Sequence, residues 1–599
     1  MKKVLYLIAA ALVTVVACNK NTPDPTPTPT PDPEPTPTVP DLKMSTPAIV
    51  DVEAESSIYT VKFNAGKAWT ATLSYPDGSE AGAVLAKEKG DAADGVELKV
   101  TFQGLTEEVA GRLIQLDIKA GATTESVLFF QGLVFYPDKE EAPELPVAGG
   151  KVDLNILTNM EVSIKKYDGA DEAFPWAPVT ITEGDHNIKL AFDVKSNSGY
   201  DARTAYVKFT LPQIQVPVLD EEGVPTGETT DMVTRFYVNQ EGPLQVAWTQ
   251  QFTWAMYPEG NRESIADAGE YLIINCSKTS QGTGGTLVFK KSDGSFVKTL
   301  DVPSCTGVTN DDAGNIIVSA GGNYPIDEAT WALIVDDQIP LDVFVYSKSE
   351  VISIIENGTS PEKTPIIHYY DGFYGYGLDN IRVTGDATSN AVITMCTSGG
   401  YGDFYAIDWD IVNGEVVDNG NGYTAYTALP NFLPDDYSMG IWNSFSIVAK
   451  HLGNSSASAM FYMGYDNNYN LHYLSGIGAE WEEVFNTGGA GNEGYNTLAT
   501  IEWNGHKYLS FISLPYFAWA DWDGDGTIDS NLPGYLWLFN IDDPSNPIKE
   551  SCHEYYCDPT NWQYGDSCDV RLVVEGNDLV AYVVDAASSQ YMKIVYPKH

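Results

Sequence analysis

The chain has 599 residues, with 34 Lys+Arg against 82 Asp+Glu, a formal net charge of −48 at pH 7. That balance excludes the basic footprint that DNA or RNA requires, so nucleic acid is not an expected partner. It leaves neutral ligands, cations and basic partners. A hydrophobic content of 43% supplies packed cores, and 35 Tyr, 22 Phe and 13 Trp beside 53 Gly read as an extracytoplasmic β-protein.

The N-terminus sets the compartment. Lys2 and Lys3 precede an apolar run, Val4 to Val16, that is too short to span a bilayer. The run ends in Val15-Val16-Ala17-Cys18, which resembles a bacterial lipobox. The resemblance implies a signal peptide over 1–17, cleavage before Cys18 and acylation of its thiol, with membrane contact through that lipid alone. Residues 18–40 then read as a stalk. From Asn21 to Pro40, Pro alternates with Thr, Asp and Glu. Alternating Pro removes donors and favours polyproline II, so the segment spans roughly 60 Å at about 3.1 Å per residue. Six further cysteines follow Cys18: Cys276, Cys305, Cys396, Cys552, Cys557 and Cys568. In an exported chain they read as disulfides or buried thiols, with a bridge conceivable within the 552, 557, 568 cluster. The spacing fits no zinc pattern.

Residues 41–243 carry short alternating segments and no helical period. Val96 to Phe102 alternates strictly, as a half-buried strand should. The region also reads as a duplication. GVELKVTF (95–102) matches NIKLAFDV (187–194), and GRLIQLDI (111–118) matches ARTAYVKF (202–209), aligning Arg112 with Arg203. VLFFQG (127–132) matches RFYVNQEG (235–242), aligning Gln131 with Gln240. An extra hairpin tip around Leu219 to Thr230 accounts for the longer final offset. Two β-sandwiches are expected, over 41–135 and 136–243.

A Trp after a strand (NAGKAWTATLSY, 64–75), an Arg-led strand and a closing strand ending in Gln resemble BACON-type Ig-like domains. The second copy has LTNMEVSI (157–164) where the Trp would stand. Such domains often serve as spacers, and the resemblance implies that role here.

Residues 244–599 are richer in Gly, aromatics and turns. Thr286 to Leu300 reads as a hairpin about Asp293-Gly294. Asn310 to Ser319 and Glu575 to Tyr582 each read as a turn feeding a strand, and LWLFNIDDPSNPIKES (536–551) as strand, turn and strand. About six such units predict a β-propeller, with the segment near Gln245 to Trp248 closing the ring. The expected fold is therefore all-β: two Ig-like sandwiches followed by a propeller of about six blades.

The strongest local motif is Asp521-Trp522-Asp523-Gly524-Asp525-Gly526-Thr527-Ile528-Asp529. Carboxylates at alternate positions of a tight loop converge on one point, and Ca²⁺ takes six to eight oxygens. Asp521, Asp523, Asp525, Thr527 (through its carbonyl) and Asp529 are the expected ligands of a structural Ca²⁺. Aromatics elsewhere alternate with Gly and Asp, as loops do. Tyr370, Tyr374, Tyr401, Trp519, Trp562 and Tyr564 are the candidates for a sugar-stacking surface. Catalytic signatures are absent: no H-E-x-x-H or G-x-S-x-G occurs, and the G-x-G-x-x-G match at 489–494 opens no βαβ unit.

The whole layout resembles surface glycan-binding proteins of polysaccharide-utilisation systems. It implies an outer-membrane lipoprotein facing the exterior, with a polysaccharide or oligosaccharide as ligand and other glycan-uptake proteins as candidate partners. The alternatives are a propeller-based glycosidase or lyase and a protein-interaction or adhesion module.

Overall fold

The computed structural model describes residues 40–598, apart from 107–108, 140–142, 167–173, 220–223, 252–261, 278–284, 301–304, 323–325, 328–331, 334–338, 359–361, 371–376, 399–403, 430–447, 464–469, 488–492, 495–496, 515–532, 557–567 and 586–589. The lipobox, most of the stalk and the acidic loop at 521–529 lie outside the described residues. What is described is all-β, built from small, mostly antiparallel sheets.

The N-terminal unit has two facing sheets. In one, Leu42–Met44, Ser57–Ala65, Ala93–Phe102 and Ala83–Leu85 lie side by side in that order. In the other, the order is Ile49–Val52, Thr123–Gly132, Gly111–Ala120, Trp69–Ser74 and Lys89–Gly90. The alternation in sequence becomes two faces: Leu98, Val100 and Phe102 are buried while Glu97, Lys99 and Thr101 are exposed. Both sheets contribute to one core, in which Trp69 meets Phe63 edge-on at 5.2 Å. Trp69 is thus a core residue.

The second unit repeats this strand order. Phe135–Pro137, Gly150–Thr158, Asn187–Val194 and Val179–Glu183 form one sheet. Glu144–Leu145, Pro225–Gln240, Arg203–Leu219 and Ser163–Lys165 form the other. In both units the second sheet begins with an edge strand running parallel to its neighbour. The aligned Arg and Gln residues explain why the pattern recurs. Arg112 stands opposite Gln131, with Nη1 donating to Oε1 at 3.4 Å, and Arg203 stands opposite Gln240, with Nε donating to Oε1 at 2.9 Å. Each buried carboxamide then ties down backbone carbonyls of the neighbouring connections. Gln131 Nε2 donates to Gln103 O at 2.7 Å, and Gln240 Nε2 to Pro146, Val147 and Lys195 O at 3.2, 3.0 and 3.0 Å. A Gln240→Leu substitution takes one donor from each of those carbonyls, which keep Gly149 N, Asn197 N and Arg203 Nη2 respectively, and takes the acceptor from Arg203 Nε. It is expected to cost about 1–2 kcal/mol, read as a lowered unfolding midpoint of this unit. The offset difference is also visible, since Arg203–Leu219 and Pro225–Gln240 continue past Leu211 as an exposed ribbon.

Among the described residues, six larger antiparallel sheets and one two-stranded pair (Ile326–Asp327 with Ala332–Leu333) follow. In chain order the six begin with Arg262–Ala268, Cys305–Asn310, Gly377–Gly385, Val448–His451, Ala499–Trp503 (preceded by Glu493–Gly494, which pairs the same neighbour) and Cys568–Glu575. The sixth sheet runs Cys568–Glu575, Asp578–Asp585, Gln590–Tyr596 and then Gln245–Gln251, so the strand that enters this region pairs with the one that ends it. Each sheet shares an apolar cluster with the next, and the last shares one with the first. Tyr582 and Val584 of the sixth sheet, for example, pack with Ile274 and Phe289 of the first.

The first strands point the same way. Asp267 N donates to Asn310 Oδ1 at 2.7 Å, Asp312 N to Gly385 O at 2.9 Å, and Thr384 Oγ1 to His451 O at 2.7 Å, each linking C-terminal ends. The turns at 311–315 and 576–577 join first to second strands, and Gly314 and Gly576 adopt the positive φ (85° and 65°) that these turns need. Among the described residues one helix, α1 (Lys348–Asn357), interrupts the β pattern. Its signals are in the sequence: a Ser347/Glu350 capping box, Gly358 in the left-handed conformation as C-cap, and buried Val351, Ile354 and Ile355 on one face.

Candidate functional site

Strand alternation sorts the connections. Within each sheet, the first-to-second and third-to-fourth turns lie at one end. The second-to-third connections and those leading to the next sheet leave the other. The second N-terminal unit sits at the end of the first-to-second turns. There Tyr200 meets Tyr596 edge-on at 5.1 Å within a cluster that includes Trp503, Tyr508 and Leu579. Asp201 adds a polar tie nearby, accepting from Ser551 Oγ at 2.5 Å and Cys552 N at 2.9 Å.

The aromatic candidates fall, by sequence, in connections that follow strands of these sheets. Tyr370 follows Ile367–Tyr369 and Tyr401 follows Asn390–Ser398. Trp519 and the 521–529 motif follow His506–Leu514, and Trp562 and Tyr564 follow Ile548–Tyr555. Tyr370 is the one candidate within the described residues. It is 59% exposed and stands edge-on to His368 at 5.5 Å, whose Nδ1 lies 2.7 Å from Asp342 Oδ1. Tyr374, Tyr401, Trp519, Trp562, Tyr564 and the ligand set Asp521, Asp523, Asp525, Thr527 and Asp529 lie outside them. Among the described residues no group of three His, Cys, Asp or Glu side chains is placed to hold a metal.

Much of the Tyr surplus is structural. Tyr462, Tyr582 and Tyr596 are fully buried, as is Trp409, whose Nε1 donates to Gly422 O at 2.8 Å. The described cysteines Cys305, Cys396, Cys552 and Cys568 carry thiols. Burial pushes Cys305 and Cys552 up to about 12, so neither ionises at neutral pH.

The first strands carry a charged cluster that the sequence did not reveal. Arg382 Nη2 bonds Asp569 Oδ1 at 2.8 Å, both side chains being 5% exposed. Asp569 also accepts from Ile265 N at 3.0 Å and Val570 N at 2.9 Å. Lys450 Nζ donates to Val383 O at 2.6 Å and Thr384 Oγ1 at 3.2 Å, and its burial lowers the ammonium to about 8. Farther out, Glu575 receives Lys291 at Oε1 and Lys593 at Oε2, both at 2.7 Å, and the Tyr582 hydroxyl at 2.7 Å. Lys291 continues to Asp267 at 2.8 Å, and Asp267 to Lys348 at 2.8 Å. The carboxylates Asp569, Glu575 and Asp267 are thus committed to bases rather than paired with one another.

A cleft of about 600 Å³ opens between the third and fourth sheets. Its walls include Tyr426, on the strand Ala425–Leu429, and Trp481, which precedes Glu482–Phe485. Trp481 packs on Tyr462 at 5.5 Å and its Nε1 donates across to Ala428 O at 3.3 Å. Nothing in the Glu480-Trp481-Glu482 context singles this indole out; only the approach of two sheets makes it a wall.

No family model matches the chain, and no curated protein matches it. Among solved structures, TolB from Acinetobacter baumannii aligns over 66% of this chain and 77% of its own, at 9% identity and a TM-score of 0.27. A Bacteroides ovatus GH5 xyloglucanase in complex with a XXXG heptasaccharide aligns at 16% identity and a TM-score of 0.14, over 18% of this chain and 22% of its own. Titin domains Z1Z2 in complex with telethonin align at 12% identity and a TM-score of 0.13, over 34% of this chain and 95% of their own. No functional argument follows from similarities this loose.

Proposed function

We propose that this chain is a lipid-anchored outer-membrane protein that captures glycan without cleaving it. In this reading Cys18 carries the lipid and the Pro-rich stalk lifts the molecule. Two Ig-like, BACON-type sandwiches act as spacers, and a six-bladed β-propeller presents the ligand surface. The observation that carries the reading is the common end. The strand ends that precede Tyr370, Tyr374, Tyr401, Trp519, Trp562 and Tyr564 in sequence, at Tyr369, Ser398, Leu514 and Tyr555, all lie opposite the second N-terminal unit. Stacking faces delivered to one rim suit a polymer approaching from outside. Six consecutive sheets with like-oriented first strands, and an entering strand paired with the last, support the propeller. The commitment of Asp569, Glu575 and Asp267 to lysines and Arg382 favours binding over hydrolysis, which needs two carboxyl groups flanking the scissile bond. The 521–529 loop, in the same reading, holds a structural Ca²⁺ that orders the connection carrying Trp519.

Affinity electrophoresis of the chain lacking its signal peptide, over a panel of polysaccharides with and without EDTA, tests this. Retardation by at least one glycan is expected, with no release of reducing ends. EDTA and the Trp562→Ala and Trp519→Ala substitutions should each weaken it. Release of reducing ends would make the protein an enzyme, and no retardation on any glycan would leave an adhesion or protein-interaction module.

A further inference from the structure

We propose that the cleft between the third and fourth sheets is a second ligand site, selective for neutral oligosaccharides, with Trp481 and Tyr426 as its stacking faces. The inference rests on the glycan-capture reading and adds a site at another place in the fold. Three observations carry it.

The first is size and position. At about 600 Å³ the cleft falls in the range of small-molecule sites. It is lined by the strand Ala425–Leu429 and by the turns holding Ser456, Ser458 and Gly476 to Ala479. It therefore opens toward the end of the first-to-second turns, opposite the strand ends that lead into the other aromatic candidates.

The second is charge. This chain holds 82 acidic residues, yet no Asp, Glu, Lys or Arg is among the described residues lining the cleft. Two carboxylates are bonded to the lining residues His451 and Ser456. Asp408 accepts from His451 Nε2 at 3.1 Å and Thr394 Oγ1 at 2.8 Å, and Asp410 accepts from Ser456 N at 2.6 Å and Ser456 Oγ at 2.9 Å. Exposed Glu480 and Glu482 flank Trp481. A neutral surface inside an acidic surround admits an uncharged polar ligand and repels an anionic one.

The third is preorganisation. The Trp481 indole is held between two sheets by its bond to Ala428 O and its contact with Tyr462, so binding need not immobilise it. Tyr426 is 53% exposed and braced edge-on by Tyr405 at 5.5 Å. Apolar ring faces beside the Asn419, Thr427 and Ser456 side chains match a sugar's C–H faces and hydroxyls.

The test compares Trp481→Ala, Tyr426→Ala and Trp481→Phe with the wild-type chain. The probe is the glycan that retards the wild type most, together with its hexasaccharide by calorimetry and an anionic hexasaccharide as counter-probe. Trp481→Ala and Tyr426→Ala should each weaken the neutral hexasaccharide about tenfold or more, while Trp481→Phe keeps most of the affinity. The anionic probe should not bind. Melting curves check folding, and the outward-facing Tyr426→Ala carries the test if Trp481→Ala unfolds. Retardation that survives both Ala variants but is lost in Trp562→Ala overturns the cleft and leaves glycan capture standing. Retardation by no glycan overturns both. Equal binding of the anionic probe overturns the selectivity.

Discussion

Replacing Asp569 by Ala is expected to cost about 3–5 kcal/mol of stability, because it removes the carboxylate that compensates a buried guanidinium. Arg382 and Asp569 are each 5% exposed and joined at 2.8 Å, and the same carboxylate satisfies Ile265 N in the neighbouring sheet. Burial by itself raises the Asp569 carboxyl, while Arg382 and the two backbone N–H groups pull it down. Truncation removes the compensation and leaves the desolvation of Arg382 in place. It also orphans a backbone donor between the sixth and first sheets. Denaturant unfolding monitored by tryptophan fluorescence reads the loss. A double Arg382→Leu, Asp569→Leu variant should be less damaged than Asp569→Ala, since replacing both partners removes the unpaired charge. An Asp569→Ala protein within about 1 kcal/mol of wild type would show that the pair contributes little.

The second large effect is a pH dependence centred on Glu575. Its burial raises the carboxyl, but Lys291, Lys593 and the Tyr582 hydroxyl outweigh that and hold it at about 2, below the ordinary 4.5. The folded protein therefore binds this proton less readily than the unfolded chain does. The stabilisation is complete above about pH 4.5 and disappears as pH falls toward about 2. Glu575→Gln should cost about 2–3 kcal/mol at pH 7, after allowance for the partial exposure of the site. The melting midpoints of wild type and variant should converge as pH drops through that window. A gap unchanged between pH 6 and pH 2.5 would remove Glu575 as the source. The effect concerns the joint between last and first sheets, because Lys291 and Asp267 belong to the first sheet's region and Glu575 and Lys593 to the sixth.

These two sites differ in how far they can be read in advance. Asp569, Arg382, Lys450 and Glu575 are far apart along the chain and sit in no motif. Their neighbours are supplied by strands from other sheets. The paired Arg and Gln residues were legible because the duplication repeats them, at an offset of 91 residues for Arg112 and Arg203 and, past the longer hairpin tip, of 109 for Gln131 and Gln240. Even so, their role as a cross-strand pair that holds neighbouring carbonyls is a property of register. The turns at Asp293-Gly294, Asn310 to Asn315 and Glu575 to Asn577 announced hairpins that the strands on either side do form. The helix Lys348–Asn357 was not among the expected elements, because its Ser347/Glu350 capping box is a signal that strand periodicity passes over.

The sequence by itself determined the local geometry. Alternation chose strands, Gly and Asn chose turns, and a surplus of acidic residues set the sign of the charge. Each of these depends on interactions between residues close in the chain, so each leaves a mark in a short window. The tertiary structure decided which side chains became sites. Trp481 faces a cleft and Trp409 a core, although both are tryptophans among acidic neighbours, because one lies where two sheets part and the other where they meet. Burial and charge compensation are set by residues hundreds of positions away, as Ile265 and Asp569 are, and no local pattern encodes them.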